Sequence, residues 1–163
     1  MRFLTPSACD AWLAHAPTLT DPTSTLSVPL PPESGRLLFL AQLIAGEITF
    51  RQPCLMRVTE WNIWESNNNW HLYYRLRQSY GDLLLINEAP GHLFLNHEME
   101  DLASFLHVAM LFGWDAELRP QAHYFAACLS HDGFIDVQAS TADALAQLQK
   151  MLQAAKFDAQ LRA

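Results

Sequence analysis

Apolar residues along this chain change their spacing several times, and the changes mark out its elements. Between 97 and 112, Met99, Leu102, Phe105, Leu106 and Ala109 recur at helical spacing. That predicts a helix with Asn96 as N-cap. Glu98, Glu100 and Asp101 load its first turn, at the positive end of the helix dipole, and Gly113 is its stop. Ala144, Leu145, Leu148, Leu152 and Ala155 stripe a last helix, capped by Ser140 with Asp143 three residues on. Over 35–49, Leu37, Leu38, Leu40, Ala41, Leu43 and Ile44 are apolar nearly all round, as in a buried helix, and Pro53 marks its limit. Residues 1–16 read as a short helix capped by Ser7.

Elsewhere the pattern favours strands. Residues 54–65 and 70–77 read as two strands around the turn Ser66-Asn67-Asn68-Asn69. Trp70, Leu72, Tyr74 and Leu76 would form one face of the second, and His71, Tyr73, Arg75 and Arg77 the other. The apolar run Leu83–Ile86 suggests a central strand buried on both faces, with His92–Leu95 as a short return. Trp114–Arg119 reads as a strand ended by Pro120. Residues 123–130 and 134–138 form a hairpin turning at Asp132-Gly133. Residues 17–34, rich in Pro, Thr and Ser, read as an extended connection pinned to the core by Leu26, Val28 and Leu30. Clustered strands with interspersed helices give an α+β class: an antiparallel or mixed sheet, meander plus C-terminal hairpin, with helices packed on one face. The length of 163 residues fits one globular domain spanning 1–163.

Composition adds exclusions. A hydrophobic share of 50% against 17% charged residues is that of a folded protein. Cys9, Cys54 and Cys128 are odd in number and far apart, which argues against a disulfide framework or a zinc site and for a reducing cytoplasm. Pro6 and Asp10 interrupt the apolar residues near the start, so no secretory leader is expected. No stretch approaches the roughly 18 apolar residues of a transmembrane span, so no membrane partner is expected.

Charge changes the picture most. From Asp82 to Asp136, nine acidic residues face one basic residue, Arg119, a net of −8. Six residues of each sign balance over 1–81, and residues 137–163 carry +1, which together give the overall −7. Such an excess argues for a cationic partner and against double-stranded nucleic acid.

The candidate chemistry is thin. Ser130-His131-Asp132 holds the residue types of a hydrolytic triad, but neighbours in an extended segment point to opposite faces. His97, Glu100 and Asp101 share a helical turn without a second histidine for a metal. His107 stands off its helix's apolar stripe, and neither standard glycine-rich nucleotide motif occurs. No catalytic, cofactor-binding or metal-ligating residue is therefore assigned.

The leading expectation is a non-enzymatic, acidic protein-binding domain that covers a basic partner as an inhibitor or adaptor. Glu98, Glu100, Asp101, Asp115 and Glu117 would supply its charge, and Trp61 or Trp64, from the tryptophans clustered near 61–70, an aromatic anchor. In general character, though through no motif, such a domain resembles immunity or antitoxin-type inhibitors. One alternative is a small enzyme or ligand-binding protein whose pocket gathers scattered His, Arg and carboxylate residues. Another is a structural homo-oligomer joined through the Trp-rich hairpin.

Overall fold

The computed structural model describes residues 1–15, 19, 24–48, 52–61, 70–121 and 125–162. Its thirteen elements are β1 (Arg2–Leu4), α1 (Pro6–His15), β2 (Thr25–Pro29), α2 (Ser34–Ile48), β3 (Cys54–Glu60), α3 (Trp70–Ser79), β4 (Gly91–Phe94), α4 (Met99–Phe112), β5 (Asp115–Pro120), β6 (Phe125–Ser130), β7 (Phe134–Ala139), α5 (Ala142–Ala154) and β8 (Gln160–Arg162). The strands form one antiparallel sheet in the order β1-β4-β3-β5-β6-β7-β2-β8. The fold is α+β.

Alternation along the strands sorts the two faces of the sheet. In β5, Ala116, Leu118 and Pro120 are buried while Asp115, Glu117 and Arg119 are half exposed. Register carries the inner row through His92, Met56, Leu118, Ala127, Val137 and Leu26. Against this row pack Leu37, Leu40 and Ile44 of α2, Leu102, Phe105 and Leu106 of α4, Leu145, Leu148 and Leu152 of α5, and Tyr73 of α3. Burying such side chains contributes about 1.5–3 kcal/mol each. Helices α2 and α4 run antiparallel: Gly46 lies by the Met99 sulfur, and His107 meets the Ser34 backbone. The expectation of helices on one face describes α2 to α5. Helix α1 lies on the other side, where a Cβ on Gly91 would collide with Cys9 Sγ. Glycine at that strand position is what lets α1 approach.

The predicted helices at 35–49, 97–112 and the C-terminus are present as α2, α4 and α5, and the Asp132-Gly133 hairpin turns with Gly133 at φ +86°. Gly113 closes α4 in the left-handed region. The caps shift. The Thr141 side chain, not Ser140, accepts the Ala144 N–H at 3.2 Å, and Glu98 rather than Asn96 precedes α4.

Four further expectations are corrected, and one element without an expectation is added. Residues 2–4 are a strand, and the helix behind them starts at Pro6, with Thr5 rather than Ser7 accepting the Ala8 N–H at 3.4 Å. Within the 17–34 connection, 25–29 is an interior strand between β7 and β8, its Leu26 and Val28 buried as pins. Residues 70–79 are helix, not strand, because Trp70, Tyr73, Tyr74 and Arg77 also fall at helical spacing and face the core or its edge. Leu83–Leu85 form an exposed loop in which only the following Ile86 is buried. Gln160–Arg162 add an edge strand, too short to carry a period. The turn expected at 66–69 lies outside the described residues.

Candidate interaction surface

The most specific polar arrangement is closed to solvent. Arg77 and His92 are both fully buried. Arg77 grips the Asp82 carboxylate through Nε at 2.8 Å and through a second guanidinium nitrogen. Its third nitrogen donates to Tyr73 Oη at 3.0 Å. The Tyr73 hydroxyl then donates to His92 Nε2 at 2.7 Å, and His92 Nδ1 donates to the Met56 carbonyl at 3.3 Å. This directional chain requires a neutral His92 with its proton on Nδ1. Burial, and then the charge of Arg77, lower the imidazole to about 3. Burial likewise pushes the Tyr73 phenol above its ordinary value. The Phe3 ring lies 4.5 Å from the guanidinium carbon, and Phe105 tilts against His92. None of these groups lines the pocket described below, so the chain organises the junction of α3, β4 and α4.

The acidic candidates do not form one patch. Glu98, Glu100 and Asp101 stand at the start of α4, whereas Asp115 and Glu117 lie on the outer face of the sheet. Four of the five carboxylates are taken by neighbours. Glu98 pairs with the Met1 amine and accepts the Leu95 N–H at 2.7 Å. Asp101 accepts the Tyr80 hydroxyl at 2.8 Å. Asp115 accepts the His131 N–H at 2.6 Å and Nδ1 at 2.9 Å, and Glu117 accepts Arg119 Nε at 3.3 Å. Glu100 is exposed, and its carboxylate has no partner among the described residues. Trp61 is half-buried against the core, and Trp64 lies outside the described residues.

The remaining sequence candidates resolve simply. Ser130 Oγ accepts the Asp132 N–H at 3.2 Å inside the hairpin turn, and His131 turns to Asp115, so no triad assembles. Tyr73 and Arg77 are buried while His71 and Arg75 are exposed, so they share no face. His107 is half-buried against α2, and burial lowers its pKa. Among the described residues no three His, Cys, Asp or Glu side chains converge as a metal site, and no helix is long and apolar enough to cross a membrane.

Two apolar features, which sequence reasoning missed, flank α4. On the α2 side, a solvent-open groove of about 400 Å³ is lined by Leu38, Gln42, Met99, Glu100, Ala103 and Ser104. On the α3 side, the loop after α3 presents Leu83, 81% exposed, with Leu84 and Leu85 beside it. That loop is fixed by its own bonds. Asp82 N–H bonds the Arg77 carbonyl at 3.1 Å, Leu85 N–H bonds the Glu88 carboxylate at 2.8 Å, and Ala89 N–H bonds the Leu85 carbonyl at 3.0 Å. The Tyr80–Asp101 bond ties its base to the first turn of α4. A signal for the loop was present in the flanking Gly81-Asp82 and Ala89-Pro90-Gly91, which leave little room for a strand.

No family model, curated protein or solved structure matches this chain.

Proposed function

We propose that this chain is a non-enzymatic, acidic protein-binding domain that covers a basic partner, as an inhibitor or adaptor does, with the outer side of α4 and the adjoining leucine loop. The observation that carries the reading is Leu83–Leu85: three consecutive leucines held at the surface by a bonded loop rather than left there by disorder. Ordered apolar side chains in water mark interaction sites. Unpaired Glu100, with the net −8 of residues 82–136, supplies the complementary charge that sets approach and partner choice.

The test is capture from native lysate at low and moderate salt, with wild type, Leu83→Asp and Glu100→Lys as parallel baits. The expected result is one basic protein, retained by wild type, weakened by salt and lost from both variants. Retention that ignores both substitutions, or no specific retention at either salt, counts against the reading.

A further inference from the structure

We infer that the groove between α2 and α4 seats an amphipathic helix of the partner, with apolar side chains against Leu38 and Met99 and a Lys or Arg paired with Glu100. The inference rests on the protein-binding reading above and adds the form of what is bound.

The walls of the groove decide the occupant. Both sides are α-helices, whose backbone groups, away from the first turn of α4, are already bonded along their own axes. The polar atoms left are the first-turn N–H groups of Met99 and Glu100 and side-chain groups of Gln42, Glu100 and Ser104, and Ser104 Oγ is already bonded to the Glu100 carbonyl at 2.9 Å. An extended peptide brings an N–H and a C=O per residue; the start of α4 offers donors for one or two of those carbonyls, but the lining offers no row of partners for the rest, whereas a helix satisfies its own. Ala103 on the lining gives a bound side chain room, and Met99, beside Gly46, can adjust to it. Leu38 and Met99 stand 36% and 43% exposed, as ridges a partner lies across rather than walls that enclose a small molecule.

Charge decides the sign. Glu100 lines the groove, and exposed Glu47 follows Gly46 at the Met99 end. The dipole of α4 offsets part of this charge but gives Glu100 no partner. A second copy of the chain, docked by two-fold symmetry, would set Glu100 against the same acidic groove, so a basic helix fits better than self-association.

The probe is a labelled amphipathic helical peptide of leucine and lysine, followed by fluorescence anisotropy, with a scrambled peptide of the same composition as control. Leu38 and Glu100 are exposed, so Leu38→Asp and Glu100→Lys should keep the fold, checked by circular dichroism. Each variant is expected to weaken binding about tenfold or more, as is scrambling, while Leu83→Asp changes it little. Equal binding of the scrambled peptide, or indifference to Leu38→Asp and Glu100→Lys, overturns the inference. If Leu83→Asp alone abolishes binding, the groove assignment falls and the protein-binding reading stands. If no peptide binds while an apolar dye does so in a Leu38-dependent way, the groove takes a small ligand and the inference falls. If the peptide does not bind and captured proteins ignore all three substitutions, both readings fall.

Discussion

The two faces of the sheet carry the same kinds of charged side chain in opposite circumstances. On the helix-covered face, Asp82, Arg77, Tyr73 and His92 form a chain in which the arginine and histidine are wholly out of water. On the outer face, Arg57 meets Asp10 at 3.0 Å and Arg119 meets Glu117 at 3.3 Å, with every member partly exposed. Hydrogen bonds and ion pairs occur in both places, so pairing does not separate them. Desolvation does. A buried guanidinium has lost its hydration and depends on every protein partner, whereas an exposed one regains water when a partner leaves.

The largest effect expected of this contrast is from Arg77→Ala, which leaves Asp82 and Tyr73 without their donor. Urea unfolding should show a loss of about 3–5 kcal/mol. Arg77→Lys should recover only part of it, because an ammonium cannot reproduce the fork that reaches Asp82 and Tyr73 together. A loss below about 1 kcal/mol would put the buried chain level with the outer pairs and break the comparison.

Acid provides the next test. His92 resists protonation in the folded state until about pH 3, whereas in the unfolded chain it takes a proton near its ordinary value of about 6.5. Between those values the unfolded state binds the extra proton. Stability therefore falls as pH falls through about 6.5, by about 2 kcal/mol at pH 5, and His92 adds no further loss below about pH 3. His92→Gln removes that contribution. The difference between the wild-type and variant stability curves should shrink towards acid pH, and parallel curves would contradict a neutral buried imidazole.

The smallest effect belongs to the outer face. Glu117→Gln should cost under about 1 kcal/mol, and added salt should erase even that. A cost matching that of Arg77→Ala would mean that this face is covered more completely than the exposure of its side chains indicates.

Much of the fold was legible because long helices repeat their pattern several times. Leu102, Phe105, Leu106 and Ala109 identify α4 without any tertiary information. The Asp-Gly hairpin was equally plain, since its turn needs a residue that tolerates positive φ. Helix α3 was misread because Trp70, Leu72, Tyr74 and Leu76 also alternate, and arginine is ordinarily counted as a surface residue. Only the packed structure shows that Arg77 belongs with Tyr73 on the inner side. The three-residue strands β1 and β8 are shorter than any period that could reveal them. For the candidate surface, the excess of carboxylates was legible but their occupancy was not. Glu98, Asp101, Asp115 and Glu117 are engaged by the Met1 amine, Tyr80, His131 and Arg119, partners that come from elsewhere in the fold or from a neighbouring strand position. The leucine run from 83 looked like an interior strand, since apolarity alone does not distinguish a buried run from a displayed one.

The brevity of β1 and β8 bears on how another chain could attach. An eight-stranded sheet ordinarily has two borders of unpaired backbone, on which a foreign strand can grow by hydrogen bonding or aggregation can begin. Among the described residues the edge strands β1 and β8 are each three residues long, and β8 is exposed along its whole length with Arg162 at its end. An added strand would find too few ladder bonds to hold its register. Along β1 and β8 main-chain pairing therefore has little backbone to grow on, whereas the helices and their loops present side chains.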